Sequence, residues 1–304
     1  MGSKEVSTTA NAVALGVGLM LLGDFLFSLN DAMGKWLVAS FSVGQVLVIR
    51  SLGAFLVLAP MIARQDMRAL VHVERPSLHI LRVILSTIDV GFFYAAVAYL
   101  PLADVMTFYM AGPIYVAALS HLLLDEKMGW RRWLAVLIGF IGVIIALRPS
   151  SAMLSFASIF GLVGSLAFAL TLVLGRYLRR TSDVTLVSWQ TLGALLIGII
   201  FSIGHWRTPS LLDVCGMVAL GVVASAAHML ITRSLKLAPA SLLAPIQYTL
   251  LLWAIIFGFV FFNDVPDVQM IVGSAVIILA GLFIFHRKAV NKQSLEHDVP
   301  VNLP

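Results

Sequence analysis

Residues 23–37, GDFLFSLNDAMGKWL, return as GSLAFALTLVLGRYL at 164–178, 141 positions later. A second echo follows at a shift of 140, with VIRSLGAFLV at 48–57 and SWQTLGALLI at 188–197. Two echoes at almost one offset make the chain a duplication. Each copy is strongly apolar: 60% of all residues are hydrophobic, only 12% are charged, and the mean hydropathy is +1.00. That composition lies outside the soluble globular range and places the chain in a lipid bilayer.

Apolar stretches of about 18–25 residues are long enough to span as helices. Ten are predicted, at 12–38, 43–63, 77–99, 102–123, 130–147, 153–178, 184–204, 211–235, 240–262 and 267–286. Five spans per copy is an odd number, so the second copy enters the membrane the other way up. The predicted fold class is an all-α polytopic membrane protein, with ten transmembrane helices as two inverted five-helix repeats around a central cavity. The repeats are expected at 1–148 and 149–290, with a cytoplasmic tail at 291–304 in which Leu295-Glu296-His297 reads as a cloning remnant. Inverted repeats are an architecture of secondary transporters.

Charge placement tests the span assignment independently, because cytoplasmic loops carry excess Lys and Arg. Sixteen of the 20 basic residues, Arg82 among them, fall on the side that holds the N-terminus. Lys35, Arg148 and Arg207 fall on the other side, and Arg50 lies within a span. Both termini are therefore predicted to be cytoplasmic, in a bacterial inner membrane. The net charge of +5 reflects this orientation, and no nucleic-acid partner is expected. The single cysteine, Cys215, cannot form an internal disulfide. No Cys/His spacing suggests a metal, no Gly-rich phosphate loop is present, and no cofactor is expected. The first ten residues show no signal-peptide pattern.

The ends of the repeats also match. Tyr99-Leu100-Pro101-Leu102-Ala103-Asp104 turns into the fourth span, and Lys236-Leu237-Ala238-Pro239-Ala240-Ser241 turns into the ninth. Proline suits such a boundary because it lacks a backbone donor. In the first copy Pro113 follows within the span, then the acidic pair Asp125-Glu126, Trp133, and Gly139 and Gly142. A five-span repeat with this turn, a mid-span proline, a glutamate before the last span and glycines within it resembles the EamA-type domain of the drug/metabolite transporter superfamily. Within that superfamily the chain looks most like bacterial exporters of aromatic amino acids. The resemblance implies a ten-helix bundle with a central cavity that exports hydrophobic amino acids. The second copy departs from the pattern, with Pro245 nearer the start of its span and Asn263-Asp264 in place of the acidic pair.

Ionisable groups in mid-span cost roughly 2.5–3.5 kcal/mol on insertion scales, so each needs a partner or a wet cavity. Asp24, Ser28, Asp31 and Lys35 share one face of the first helix at helical spacing. Arg82, Ser86 and Asp89 share a face of the third, with Phe92, Phe93 and Tyr94 just beyond. A carboxylate beside rings suits an amphiphilic cargo, because the charge meets an ammonium while the rings pack apolar atoms. The alternative for Asp89 is an interhelical ion pair with Arg50. On the eighth helix Ser225, His228 and Thr232 line up, near Gln247 and Tyr248 of the ninth; His228 either titrates during transport or is a neutral hydrogen-bonded histidine. Trp189 and Gln190 stand where the other repeat has Ile49 and Arg50. Tyr99, Phe108 and Tyr109 are rim aromatics on the outer half or interfacial anchors.

The predicted cavity set is Asp24, Ser28, Asp89, Phe93, Tyr94, Tyr99, Tyr109, Trp189, His228, Gln247 and Tyr248. The function expected from it is export of aromatic or hydrophobic amino acids, and of flat hydrophobic drugs, by alternating access. Alternatives are export of another small metabolite of the superfamily, or a membrane sensor or scaffold without transport. No nucleophile–base pair or metal cluster can be assembled at one depth, which argues against an enzyme. The expected partners are the lipid bilayer and an amino-acid substrate, with the chain a monomer or weak dimer; protons enter only under antiport, and exchange and facilitated diffusion stand beside it as alternatives.

Overall fold

The computed structural model describes residues 2–38, 40–65, 70, 73–100, 102–126, 129–149, 151, 155–263 and 265–280, with the side chains of 2–10, Lys35, Tyr94, Val97, Ala98 and 102–104 outside that set. The predicted end of the tenth span, Asp264 and the tail 291–304 lie outside the described residues. All regular structure among the described residues is helical. The first repeat consists of α1 (Gly2–Val38), α2 (Val43–Ala63), α3 (Pro76–Tyr99), α4 (Leu102–Met110), α5 (Gly112–Leu124) and α6 (Trp130–Leu147). The second has α7 (Ser158–Tyr177), α8 (Asp183–Ser202), α9 (Leu211–Leu237), α10 (Ala240–Leu243), a 3-10 turn (Ala244–Tyr248), α11 (Thr249–Phe262) and α12 (Val268–Ala280). Nine segments among the described residues are long and apolar enough to cross a bilayer, and α12 is a shorter tenth. Each of the ten predicted spans overlaps one of them.

The helix ends show why a repeat that is weak in sequence still folds twice. Ser42 and Ser182, at the repeat offset, cap α2 and α8 by accepting from the Gln45 and Thr185 backbone N–H groups. Asp125 and Asn263 end α5 and α11 in the left-handed region, with φ of 52° and 54°. Asp and Asn are the non-glycine residues that tolerate this conformation best. The apparent loss of the acidic pair in the second copy is therefore conservative at its first position, where backbone conformation rather than charge is required.

The fourth span is discontinuous in both repeats. In the first, α4 stops at Met110 and α5 restarts at Gly112, with Pro113 in its first turn. In the second, the one-turn α10 gives way to the 3-10 turn that carries Pro245, and α11 resumes at Thr249. Proline supplies no N–H to the ladder, which accounts for both interruptions.

Packing follows a pseudo-twofold exchange of repeats. α1 lies along α9 as α7 lies along α3, α2 lies along α8, and α1 meets α11 as α7 meets α4 and α5. The closest approach is between α9 and α2, where a Cβ at Gly221 would overlap the Arg50 carbonyl oxygen. Such contacts let helices associate by van der Waals packing where no hydrophobic force acts between them. Arg82, counted with the basic residues of the N-terminal side and placed on the third helix with Ser86 and Asp89, lies inside α3 and is only 6% exposed. The charge bias counts charges without registering depth.

Candidate functional site

The polar groups gather where the ninth span is broken. Gln247 sits in the 3-10 turn, 3% exposed, with neither its amide nitrogen nor its oxygen partnered. Two residues on, the Thr249 hydroxyl donates to Asp24 Oδ2 at 2.9 Å. Asp24, on α1, is 1% exposed, and its other oxygen has no partner. Ser28, one turn along α1, is also buried with an unpartnered hydroxyl. Buried polar atoms are nearly always hydrogen-bonded, so several orphans on two adjoining elements make this the candidate site among the described residues.

Rings from both repeats flank this cluster. Phe27 of α1 meets His228 of α9 edge-on at 5.2 Å. On the symmetry-related side Phe93 of α3 meets Tyr109 of α4 edge-on at 5.2 Å, and Tyr109 approaches Phe168 of α7 at 6.2 Å. The Tyr109 hydroxyl donates to the Asp89 backbone carbonyl at 3.0 Å, which fixes the ring. Charges link the two ring groups: Asp31 interacts electrostatically with Arg50 and with Asp89, and His228 with Arg50 and Arg82. Carboxylates, cations and rings from both repeats are thus coupled across the bundle.

Asp24, Ser28, Gln247 and His228 thus fall in one cluster, and Asp89, Phe93 and Tyr109 in its neighbour. The other candidates sit elsewhere. Tyr248 is 1% exposed; its hydroxyl donates to the Val136 carbonyl at 2.9 Å and its ring lies against Gly139, so it joins the ninth span to α6. Trp189 donates its indole N–H to the Leu70 carbonyl at 3.0 Å. Tyr99 is 73% exposed and stacks on Phe160. The Tyr94 side chain lies outside the described residues. Phe27, Phe168 and Thr249 were missed by sequence reasoning. The first two carried a signal, since they occupy the same position in the repeated segment; Thr249 carried none.

The end of the bundle that carries most of the basic residues is tied by a second polar cluster. Glu126, just after α5, accepts from the Ala240 and Ser241 backbone N–H groups at 3.3 and 3.0 Å, capping α10, and from Arg176 Nε of α7 at 3.1 Å. Arg176 also donates to the Leu235 and Lys236 carbonyls at 2.9 and 3.0 Å, where α9 ends. Lys236 is itself paired with Asp183 at 2.5 Å and bonded to the Thr181 carbonyl. Glu126→Ala should leave two N–H groups and Arg176 uncompensated, at a cost of about 2–4 kcal/mol. On a Cys215→Ser background, a cysteine at Ser241 should then react with maleimide at least ~5-fold faster, about 1 kcal/mol in the opening equilibrium. Unchanged labelling would show that the cluster does not close this end.

The EamA-like transporter family matches the chain twice, over residues 14–148 and 155–286. An S-adenosylmethionine uptake transporter of Rickettsia bellii is 25% identical over 283 residues, covering 92% of this chain and 97% of that protein. A riboflavin transporter of Vibrio cholerae is 26% identical over 271 residues, covering 87% and 91%. A solved crystal structure superposes with a TM-score of 0.73 over 90% of this chain and 96% of its own, at 16% identity, which shows a shared fold. With two matches that together cover nearly all of its length, set on a bundle of apolar helices with an internal repeat, this multi-pass membrane protein belongs to the EamA-like transporter family, whose members are transporters and not enzymes.

Proposed function

We propose that the protein carries a small metabolite that joins a flat ring to a cationic or zwitterionic centre, by alternating access about its two broken fourth spans, with S-adenosylmethionine the first candidate. The observation that carries this reading is Asp24: a buried carboxylate with one oxygen held by Thr249 and the other free, beside the Phe27–His228 ring pair. S-adenosylmethionine has a sulfonium, an ammonium and an adenine ring, which answer the carboxylates and the aromatic walls together. Aromatic amino acids meet the same description less fully and stay within the proposed class. The outward direction expected from sequence gives way here to uptake, which the names of the Rickettsia relatives support.

Riboflavin is the second reading, favoured by the Vibrio relative. A neutral ring system would use the rings but leave Asp24 without a counter-charge. The charge bias supports a bacterial inner membrane with both termini in the cytoplasm. Buried carboxylates support protons as a coupling ion.

The test is uptake into proteoliposomes, with and without an imposed pH gradient. Saturable S-adenosylmethionine flux is expected, competed by excess unlabelled compound and not by riboflavin, and a gradient dependence would add protons to the cycle. Riboflavin flux without S-adenosylmethionine flux would replace the first candidate by the second.

A further inference from the structure

Arg82 is a buried cation that the scaffold leaves incompletely answered. It lies well inside the membrane-spanning part of α3 and is 6% exposed. One guanidinium N–H donates to the Leu186 carbonyl of α8 at 3.1 Å, while Nε has no partner. Among the described residues no carboxylate forms an ion pair with it. The titratable groups that interact with it electrostatically are His79, His228 and Lys236, and none of them is an acid. A charge in this setting costs several kcal/mol unless an anion meets it.

Space and hydrogen-bonding capacity converge on the same point. Nε faces Gly175 of α7, where a Cβ would lie 3.8 Å from it, and glycine recurs there in both repeats, at positions 34 and 175. Gln190 stands one turn beyond Leu186 on the stripe of α8 that faces α3, the stripe on which Gly193 approaches Val83. Its buried side-chain oxygen is also unpartnered. His228, which pairs with Phe27, interacts electrostatically with Arg82. Along α3, Arg82 and Asp89 are separated by seven residues, a rise of roughly 10 Å.

We propose that Arg82 receives the carboxylate of the substrate, so that the transport path has a cationic pole at Arg82 and an anionic pole at Asp24 and Asp89. This rests on the zwitterionic-substrate reading above. The separation of the poles selects molecules whose positive centre is several bonds from the carboxylate, as a sulfonium is in S-adenosylmethionine, over a compact amino-acid head group alone.

The experiment measures equilibrium binding of S-adenosylmethionine and of its decarboxylated form to the full-length protein in nanodiscs, for wild type, Arg82→Gln and Arg82→Lys. Wild type is expected to prefer the carboxylate-bearing form by about 10- to 100-fold, the worth of a charge-assisted hydrogen bond. Arg82→Gln should bring that ratio near one by weakening only the carboxylate-bearing ligand, and Arg82→Lys should retain part of the preference. A merely structural Arg82 would weaken both ligands alike. Equal binding of both by wild type overturns the role of Arg82 and leaves the transport reading standing, an outcome that needs no folded variant. Binding of neither by wild type overturns both together.

Discussion

Asp24→Asn is expected to cut transport at least ~10-fold while the protein reaches the membrane in normal amount. Asparagine keeps the shape and can still accept the Thr249 hydroxyl, as Asp24 Oδ2 does now. It loses the charge, and it turns the oxygen that has no partner into a donor. A cationic centre that meets Asp24 therefore loses a charge-assisted contact of about 1.5–3 kcal/mol, or roughly 10- to 150-fold. Asp24→Leu removes the acceptor as well, strands the Thr249 hydroxyl, and should lower both rate and abundance. The measurement is initial flux per reconstituted protein. Wild-type flux in the asparagine variant, with leucine alone defective, would reduce Asp24 to a polar anchor between α1 and α11.

Gly221→Val should have the largest effect on folding. The smallest possible side chain at this position already overlaps the Arg50 carbonyl oxygen and stands 2.8 Å from the Ala54 nitrogen. Backbone cannot swing aside as a flexible side chain can, so α9 has to move off α2. Overpacking of this kind costs about 1–3 kcal/mol or more. Arg50 itself interacts with Asp31 and His228, so displacement of its backbone should depress transport even in the fraction that folds. Gly18→Val is the control, because nothing lies within 4 Å of the corresponding Cβ. Thermal midpoints and monodispersity in detergent decide the matter. Equal stability of the two variants would show that the α2–α9 contact is looser than the structure has it.

The spans and the repeat were legible because each depends on quantities that accumulate along the chain, such as a long unbroken apolar run or a motif recurring at a fixed offset. Depth was partly legible too, since Asp24, Ser28 and Gln247 were placed in the bilayer from their positions alone. Azimuth was harder. Tyr248 is the neighbour of Gln247, yet it bonds to Val136 and lies against Gly139, because the 3-10 turn does not present residues on an α-helical schedule. Arg82 entered the charge tally and the polar face of the third helix alike, because a tally counts a cation near a helix end whether it points into a loop or into the bundle. Contacts between repeats were not legible at all. Glu126 and Arg176 are 50 residues apart and belong to different copies, and only the inverted packing makes them neighbours. Thr249 shares that obscurity, since its partner Asp24 is 225 residues away.

The Glu126–Arg176 cluster addresses the main chain of its neighbours: amide nitrogens at Ala240 and Ser241, carbonyl oxygens at Leu235 and Lys236. A contact made to backbone atoms is indifferent to the side chains those atoms carry. Positions 235 and 240 therefore answer to core packing and Lys236 to its own pairing with Asp183, whereas the joint itself is set by Glu126 and Arg176. In a library of variants a change at 235 or 240 that keeps the core filled should leave the joint closed, a behaviour opposite to that of a joint made by interlocking side chains.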